Sequence, residues 1–209
     1  MMRLALPKGR NLDVTLSAFR AVGIELAGLE ENGRRLWRSF EDDSLEVLLL
    51  KDWDVPLYVE YGVADFGVVG SDVLEETDGD VLVPARLSEG GCRLSLIGPE
   101  GSLPAAGSQV RLATKYPRLA RRLVGTRPWG AEIIKLSGSV ELGPLLRLSE
   151  VALDIVQTGS TMRENQLVEL EVVEEVHPCL VVNRASYQRY RSRLNELVRR
   201  LEQEGLVLS

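Results

Sequence analysis

Short apolar runs alternate with apolar positions at helical spacing along most of the chain, the pattern of strands and helices taking turns in an α/β fold. Arg3 to Leu6 reads as a first strand and Pro7-Lys8-Gly9-Arg10 as a turn. Leu12, Leu16 and Phe19 then fall on one helical face, and Gly23 closes that helix. Glu46 to Leu50 is a near-continuous apolar run of the kind buried on both faces. Asp54 is placed to cap a short helix that runs through Tyr61 and stops at Gly62. Asp65 to Gly70 forms another buried strand, with Ser71 or Asp72 available to cap the next helix.

A second set of elements begins near Ala85. Cys92 to Ile97 and Val110 to Ala113 read as strands, separated by the turn-rich stretch Pro99 to Ser108. Tyr116 to Val124 is a basic helix, Ile133 to Leu136 a short strand, and Val140 to Leu148 a helix interrupted at Gly143-Pro144. Val151 to Val156 is a strand that feeds directly into Thr158-Gly159-Ser160-Thr161, and a helix-like segment, Met162 to Asn165, follows. Leu167 to Val176 and Leu180 to Asn183 are β-rich. Ser186 to Glu204 is a long amphipathic helix with Tyr187, Tyr190, Leu194, Leu197 and Leu201 on one face and a solvated Arg/Glu face opposite.

Composition narrows the function classes. The 209 residues suffice for one large domain or two small ones, and 44% hydrophobic with 27% charged residues is ordinary for a soluble globular protein. A net charge of −6 argues against a nucleic-acid partner held by phosphate neutralisation. No apolar run approaches the ~20 residues that span a bilayer. The opening MMRLALPKGR is unlike a signal peptide, which together predicts a cytoplasmic protein with no membrane partner. Cys92 and Cys179 lie outside any CxxC pattern and read as buried hydrophobes. The single histidine, His177, excludes a zinc site with two or more histidines and precedes Pro178 in a strand-to-strand turn, where a structural role is expected.

Four strand-end turns carry candidate chemistry. In Asp154-Ile-Val-Gln-Thr158-Gly159-Ser160-Thr161 the backbone N–H groups of a helix start and three hydroxyls suit a phosphate, Gly159 permits close approach, and Asp154 is placed to accept from sugar hydroxyls. Read alone, the same loop also fits a capped turn with no ligand. Lys8-Gly9-Arg10 follows the first strand, where cations meet ligands in open α/β sheets. Val69-Gly70-Ser71-Asp72 and Leu136-Ser137-Gly138-Ser139-Val140-Glu141 repeat the scheme, the latter with an acid in the first turn of its helix.

The order of these motifs resembles one family. LALPKGR, DVPLYVEYGVADFGVVGSDVL, RLATKYPRLARR, SGSVELGPLL and DIVQTGSTMRENQL are similar to the ATP phosphoribosyltransferases of histidine biosynthesis, from Leu4 to about Arg184. The length resembles the short form, which works in a hetero-oligomer with a regulatory subunit similar to histidyl-tRNA synthetase. The resemblance implies transfer of a 5-phosphoribosyl group from phosphoribosyl diphosphate to N1 of ATP, with Mg²⁺ carried by substrate phosphates rather than bound directly by the protein.

It also implies roles. Thr158, Gly159, Ser160 and Thr161 would cradle the 5-phosphate, Asp154 would hold the ribose hydroxyls, and Glu141 would face the ribose or the metal. Lys8, Gly9, Arg10, Arg34, Gly70, Ser71 and Asp72 would form the ATP side, and Lys8 and Lys51 would join Asp154 as catalytic groups, Lys51 toward the departing diphosphate. Two positions depart from the family pattern: Gln157 stands where Glu is common, and Lys51 where many members carry Arg, a point charge in place of a bidentate fork. The implied fold is α/β and two-lobed around a central cleft, similar to type II periplasmic binding proteins, with residues 1–87 and 180–209 in one lobe and 88–179 in the other. A ligand-sensing module on the same fold is the rival reading, and an inactive scaffold a second.

Overall fold

A computed structural model of the chain describes residues 1–29, 36–40 and 44–208, with the side chains of Arg10 and Thr161 outside that description. The chain forms two compact units, Met1–Gly90 with His177–Ser209, and Gly91–Val176. These crossings fall three residues from the lobe boundaries read in the sequence. The reason is local: Ser71 N–H donates to the His177 carbonyl (2.9 Å) and Pro178 is already in register with Gly70.

The first unit contains β1 (Met2–Pro7), α1 (Arg10–Ala21), β2 (Trp37–Phe40), β3 (Leu45–Leu50), α2 (Val55–Glu60), β4 (Phe66–Gly70), α3 (Ser71–Thr77) and β5 (Leu82–Arg86). The second contains β6 (Cys92–Gly98), β7 (Gln109–Thr114), α4 (Pro117–Val124), β8 (Gly130–Lys135), α5 (Leu142–Leu145), β9 (Val151–Val156), α6 (Ser160–Glu164) and β10 (Val168–Val176). The chain then returns to the first unit as β11 (Pro178–Val182) and α7 (Arg184–Gln203).

The first sheet has the order β2-β3-β1-β4-β11-β5. Its centre, β3-β1-β4, is parallel, and β2, β11 and β5 add antiparallel pairs. Strand alternation splits the core. Leu4, Leu6, Val47, Phe66 and Leu180 pack with Phe19 of α1 and Leu194, Leu197 and Leu201 of α7. Ala5, Val69 and Val181 pack on the opposite face with Val55, Val59 and Val73. Coverage on both faces is why these strands read as continuous apolar runs.

The second sheet runs β10-β6-β9-β7-β8, with β8, β7 and β9 parallel and β6 and β10 antiparallel. One face holds its main core, built from Leu94, Leu96, Leu112 and Leu153 against Tyr116, Leu119, Leu123 and Trp129. The other carries a small cluster of Ile97, Ala113, Val140, Ala152 and Val156, with Leu136 and Met162 packed on it.

Several local readings change. The strands β2 and β5 lack a strong apolar run because each lies at a sheet edge, and β5 even tolerates Pro84 there. The expected helix Val140–Leu148 shrinks to α5, so Gly143 and Pro144 lie inside a single turn rather than interrupting a long helix. Gly70, not Ser71 or Asp72, is the N-cap of α3. Asp54 does occupy the N-cap of α2, yet after a 3-10 turn (Asp52–Asp54) and without a side-chain capping bond. Asn183 closes no strand; its Oδ1 caps α7 by accepting from the Ala185 and Ser186 N–H groups (both 3.0 Å).

Candidate functional site

Because β7, β8 and β9 are parallel, their carboxyl ends lie side by side, with Thr114 in register with both Lys135 and Leu153. Three loops therefore leave the sheet together: Lys115 after β7, Leu136 to Glu141 after β8, and Gln157 to Gly159 after β9. They surround a cavity of about 430 Å³, within the size range of small-molecule sites, lined by Lys115, Ser139, Glu141, Asp154, Thr158 and Ser160 among others. Val140 and Met162, packed on the small apolar cluster, fasten two of these loops to the sheet.

The phosphate-type loop is built by local constraint. Gly159 has φ +71°, a conformation that penalises an L side chain, and its carbonyl accepts the Arg163 N–H (3.1 Å) to start α6. Thr158 Oγ1 and Ser160 Oγ share a hydrogen bond of 3.1 Å. Both hydroxyls thus point into one small volume beside the N–H groups that open the helix, an arrangement suited to a tetrahedral oxyanion. Thr161 contributes its backbone as the second residue of α6.

Asp154 stands on the cavity face of β9, its side chain 13% exposed, with Lys115 Nζ 3.6 Å from Oδ2. Its Oδ1 accepts the Ile155 N–H at 2.9 Å. Burial holds this carboxyl above its ordinary range; Lys115 and the Ile155 N–H pull it down, and the negative charge of Glu141 pushes it up again. Glu141 sits at the N-cap of α5, one position before the first turn expected for it.

In the first unit the parallel strands β1, β3 and β4 end together, and the Lys8 N–H donates to the Leu50 carbonyl (2.8 Å). This sets Lys8 beside Lys51, both exposed, with Gly9 (φ +102°) as the N-cap of α1 and Arg10 its first residue. Gly70, Ser71 and Asp72 differ. Ser71 and Asp72 are buried, and Ser71 Oγ accepts the His177 N–H at 3.3 Å. A Cβ at Gly70 would lie 2.2 Å from Asp72 Oδ1 and 3.4 Å from Asn11 Nδ2, so the glycine is what lets these buried groups close on the strand end. Arg34 lies outside the described residues.

Two site residues escaped the sequence reading. Lys115 holds the strand-end position that drew notice to Lys8 and Lys51, and that signal would have found it. Arg163 lies over the loop, its Nη1 3.4 Å from where a Gly159 Cβ would stand. Cys92 and Cys179 are both buried, and burial pushes the Cys179 thiol up to about 11, which disfavours its reactive thiolate. Among the described residues no group of three or more His, Cys, Asp or Glu side chains is placed to hold a metal ion, and no helix is long and apolar enough to cross a membrane.

Comparison with known proteins gives the geometry a lineage. A sensor domain of a histidine kinase, solved and described as similar to periplasmic binding proteins, matches with TM-score 0.60 over 98% of this chain and 91% of its own. At 13% identity it establishes the two-unit α/β fold alone. A chain of the ATP phosphoribosyl transferase (HisG:HisZ) complex from Thermotoga maritima matches with TM-score 0.80 and 32% identity, covering 97% of this chain and 98% of the other. The ATP phosphoribosyltransferase of Sorangium cellulosum is 46% identical over 200 residues, 96% of this chain and 94% of the relative. The family model "HisG: ATP phosphoribosyltransferase" matches residues 51–203, a span that holds Lys51, Lys115, Glu141 and the whole Asp154-to-Thr161 loop. On this coverage the chain belongs to the ATP phosphoribosyltransferase family.

Proposed function

We propose that this chain transfers the 5-phosphoribosyl group of phosphoribosyl diphosphate to N1 of the ATP adenine, giving phosphoribosyl-ATP and diphosphate, the first step of histidine biosynthesis. The observation that carries the reading is the second unit's cavity, where a carboxylate and a hydroxyl-lined loop meet at the ends of three parallel strands. Thr158, Gly159, Ser160 and the backbone of Thr161 bind the 5-phosphate. Asp154 accepts from the ribose hydroxyls, and Glu141 is the second acid on the sugar side.

In the reaction the bond from C1 to the diphosphate oxygen breaks, the oxygen keeps the electron pair, and adenine N1 supplies the pair for the new bond. Positive charge grows at C1 as diphosphate leaves. The anionic wall of Asp154 and Glu141 favours that charge, and fixed placement of the sugar removes most of the entropic barrier. No protein nucleophile is required. Lys8 and Lys51, exposed side by side at the strand ends of the first unit, neutralise the phosphates of ATP and the departing diphosphate, with Gly9 and Arg10 at the start of α1 beside them. Gly70, Ser71 and Asp72, where β4 passes into α3, belong to the ATP side in this reading. When bound through the substrate phosphates, Mg²⁺ would supply further positive charge to the leaving group beside Lys51. The Thermotoga maritima relative was solved as a HisG:HisZ complex, which supports a hetero-oligomer; in this reading the partner is a regulatory subunit similar to histidyl-tRNA synthetase, and the location is the cytoplasm.

The test is direct. Purified chain with ATP, phosphoribosyl diphosphate and Mg²⁺, alone and with its regulatory subunit, should form phosphoribosyl-ATP and diphosphate in equal amounts. No product under either condition refutes the reading.

A further inference from the structure

The cavity wall includes one cation that the motifs leave without a role, and its placement is enforced from two sides. Thr114 is fully buried at the end of β7, where its hydroxyl donates to the Leu153 carbonyl (2.8 Å) and accepts from the Tyr116 N–H (2.9 Å). That clasp ties β7 to β9 and pins the backbone on either side of Lys115. Strand alternation then puts Lys115 on the cavity face, opposite Thr114, with its ammonium 3.6 Å from Asp154 Oδ2.

We infer that Lys115 is a positioning residue: fastened by the Thr114 clasp, it fixes the Asp154 carboxylate as an anion facing the cavity, ready to accept from the ribose hydroxyls. The inference rests on the phosphoribosyl reading above. A carboxylate has about four acceptor sites, and here the Ile155 N–H and one long contact to Lys115 occupy Asp154. Acceptors remain for two sugar hydroxyls.

The charges around Asp154 show why it depends on Lys115. From α5, Glu141 opposes its ionisation. On β6 and β10 the charged groups of the same sheet face, Arg93 and Glu169, are bound to one another through two hydrogen bonds of 2.9 and 3.0 Å. On α6, Arg163 lies over Gly159. Lys115 is the cation whose attraction works against burial at Asp154 and partly offsets it.

The experiment uses the chain with its regulatory subunit and the variants Lys115→Met, Lys115→Arg and Thr114→Val. Loss of a charge-assisted contact predicts that Lys115→Met raises KM for phosphoribosyl diphosphate about tenfold or more, while KM for ATP moves less than about twofold. The acidic limb of kcat/KM for phosphoribosyl diphosphate shifts to higher pH, Lys115→Arg returns it toward wild type, and Thr114→Val moves it the same way as Met. In parallel, the Asp154 carboxyl carbon, followed by NMR, titrates at higher pH in Lys115→Met than in wild type. A wild-type KM for phosphoribosyl diphosphate in Lys115→Met, or an unmoved Asp154 titration, overturns the inference. A wild-type protein that makes no phosphoribosyl-ATP overturns the functional reading instead, and the NMR titration then decides the role of Lys115 alone.

Discussion

Replacing Gly159 separates the conformation of the phosphate loop from the stability of the fold. At φ +71° an L residue costs roughly 1–2 kcal/mol, because its Cβ crowds its own backbone. Space is not the limit: a Cβ there meets Met162 Cε at 3.3 Å and Arg163 Nη1 at 3.4 Å, the ends of flexible side chains, and Val156 Cγ1 at an ordinary 3.9 Å. Gly159→Ala should therefore lower stability by about 1–2 kcal/mol, roughly 2–8 °C in Tm for a chain of this size. If the exposed loop instead relaxes toward negative φ, the stability cost falls, but Thr158 and Ser160 no longer converge. A displacement near 1 Å at such a site costs about 10²-fold, or roughly 2.7 kcal/mol of transition-state stabilisation.

The relaxed loop gives kcat/KM for phosphoribosyl diphosphate a larger loss than unfolding free energy, with ATP affinity unchanged. Steady-state kinetics with each substrate varied, ATP calorimetry and urea denaturation on Gly159→Ala, Gly159→Val and Gly159→Asn make the comparison. Asn tolerates the left-handed region and should lie nearest wild type in stability, and Val, being β-branched, furthest. Wild-type kcat/KM in the Val variant, or a loss that tracks stability across all three, would refute the reasoning.

Two further outcomes follow from single side chains. Asn183 caps α7 and donates through Nδ2 to the Val59 and Glu60 carbonyls at the end of α2 (both 3.0 Å). Asn183→Ala should cost about 2 kcal/mol and leave KM for both substrates unchanged, with Asn183→Asp, which keeps the cap, intermediate by thermal denaturation. The Asp154 carboxyl is raised by burial, so the folded state holds its proton to higher pH than the unfolded state does, and the residue lowers stability as pH rises through that interval. Asp154→Asn should match wild type below the ordinary carboxylate range and gain on it above, in urea denaturation followed across pH, while phosphoribosyl transfer is lost.

The parts of the site legible in the sequence are those set by neighbours in the chain. A buried apolar strand followed by Gly or small hydroxyl residues marked Lys8, Gly9 and Thr158 to Ser160, because strand burial and helix-start chemistry act over a few residues. The pairing of Lys115 with Asp154 was not legible. It exists because β7 and β9 lie parallel, with Thr114 beside Leu153, although β8 intervenes in the chain. Likewise nothing local tells that Asp72 Oδ1 and Asn11 Nδ2 both approach Gly70, or that Asp72 is buried there. Gln157, in place of the common Glu, lines the cavity without a second carboxylate, so Glu141 is the acid that accompanies Asp154 there.

The same strands carry both the stability and the site of the second unit, on opposite faces. Along β9, Val151, Leu153 and Ile155 enter the main core, while Ala152, Asp154 and Val156 face the cavity side; along β7, Val110 and Leu112 are in the core and Ala113 faces the cavity side. Large residues on one face supply most of the apolar burial. Small ones on the other leave room for the cavity and for two short helices of 4 and 5 residues, α5 and α6. Helices that short gain little from their own hydrogen bonds and depend on Val140 and Met162 for anchorage. A buried acid is tolerated on this face because the opposite face, not this one, holds the unit together. Truncating Leu153 should therefore unfold the unit, whereas changes at Asp154 or Gly159 cost mainly function.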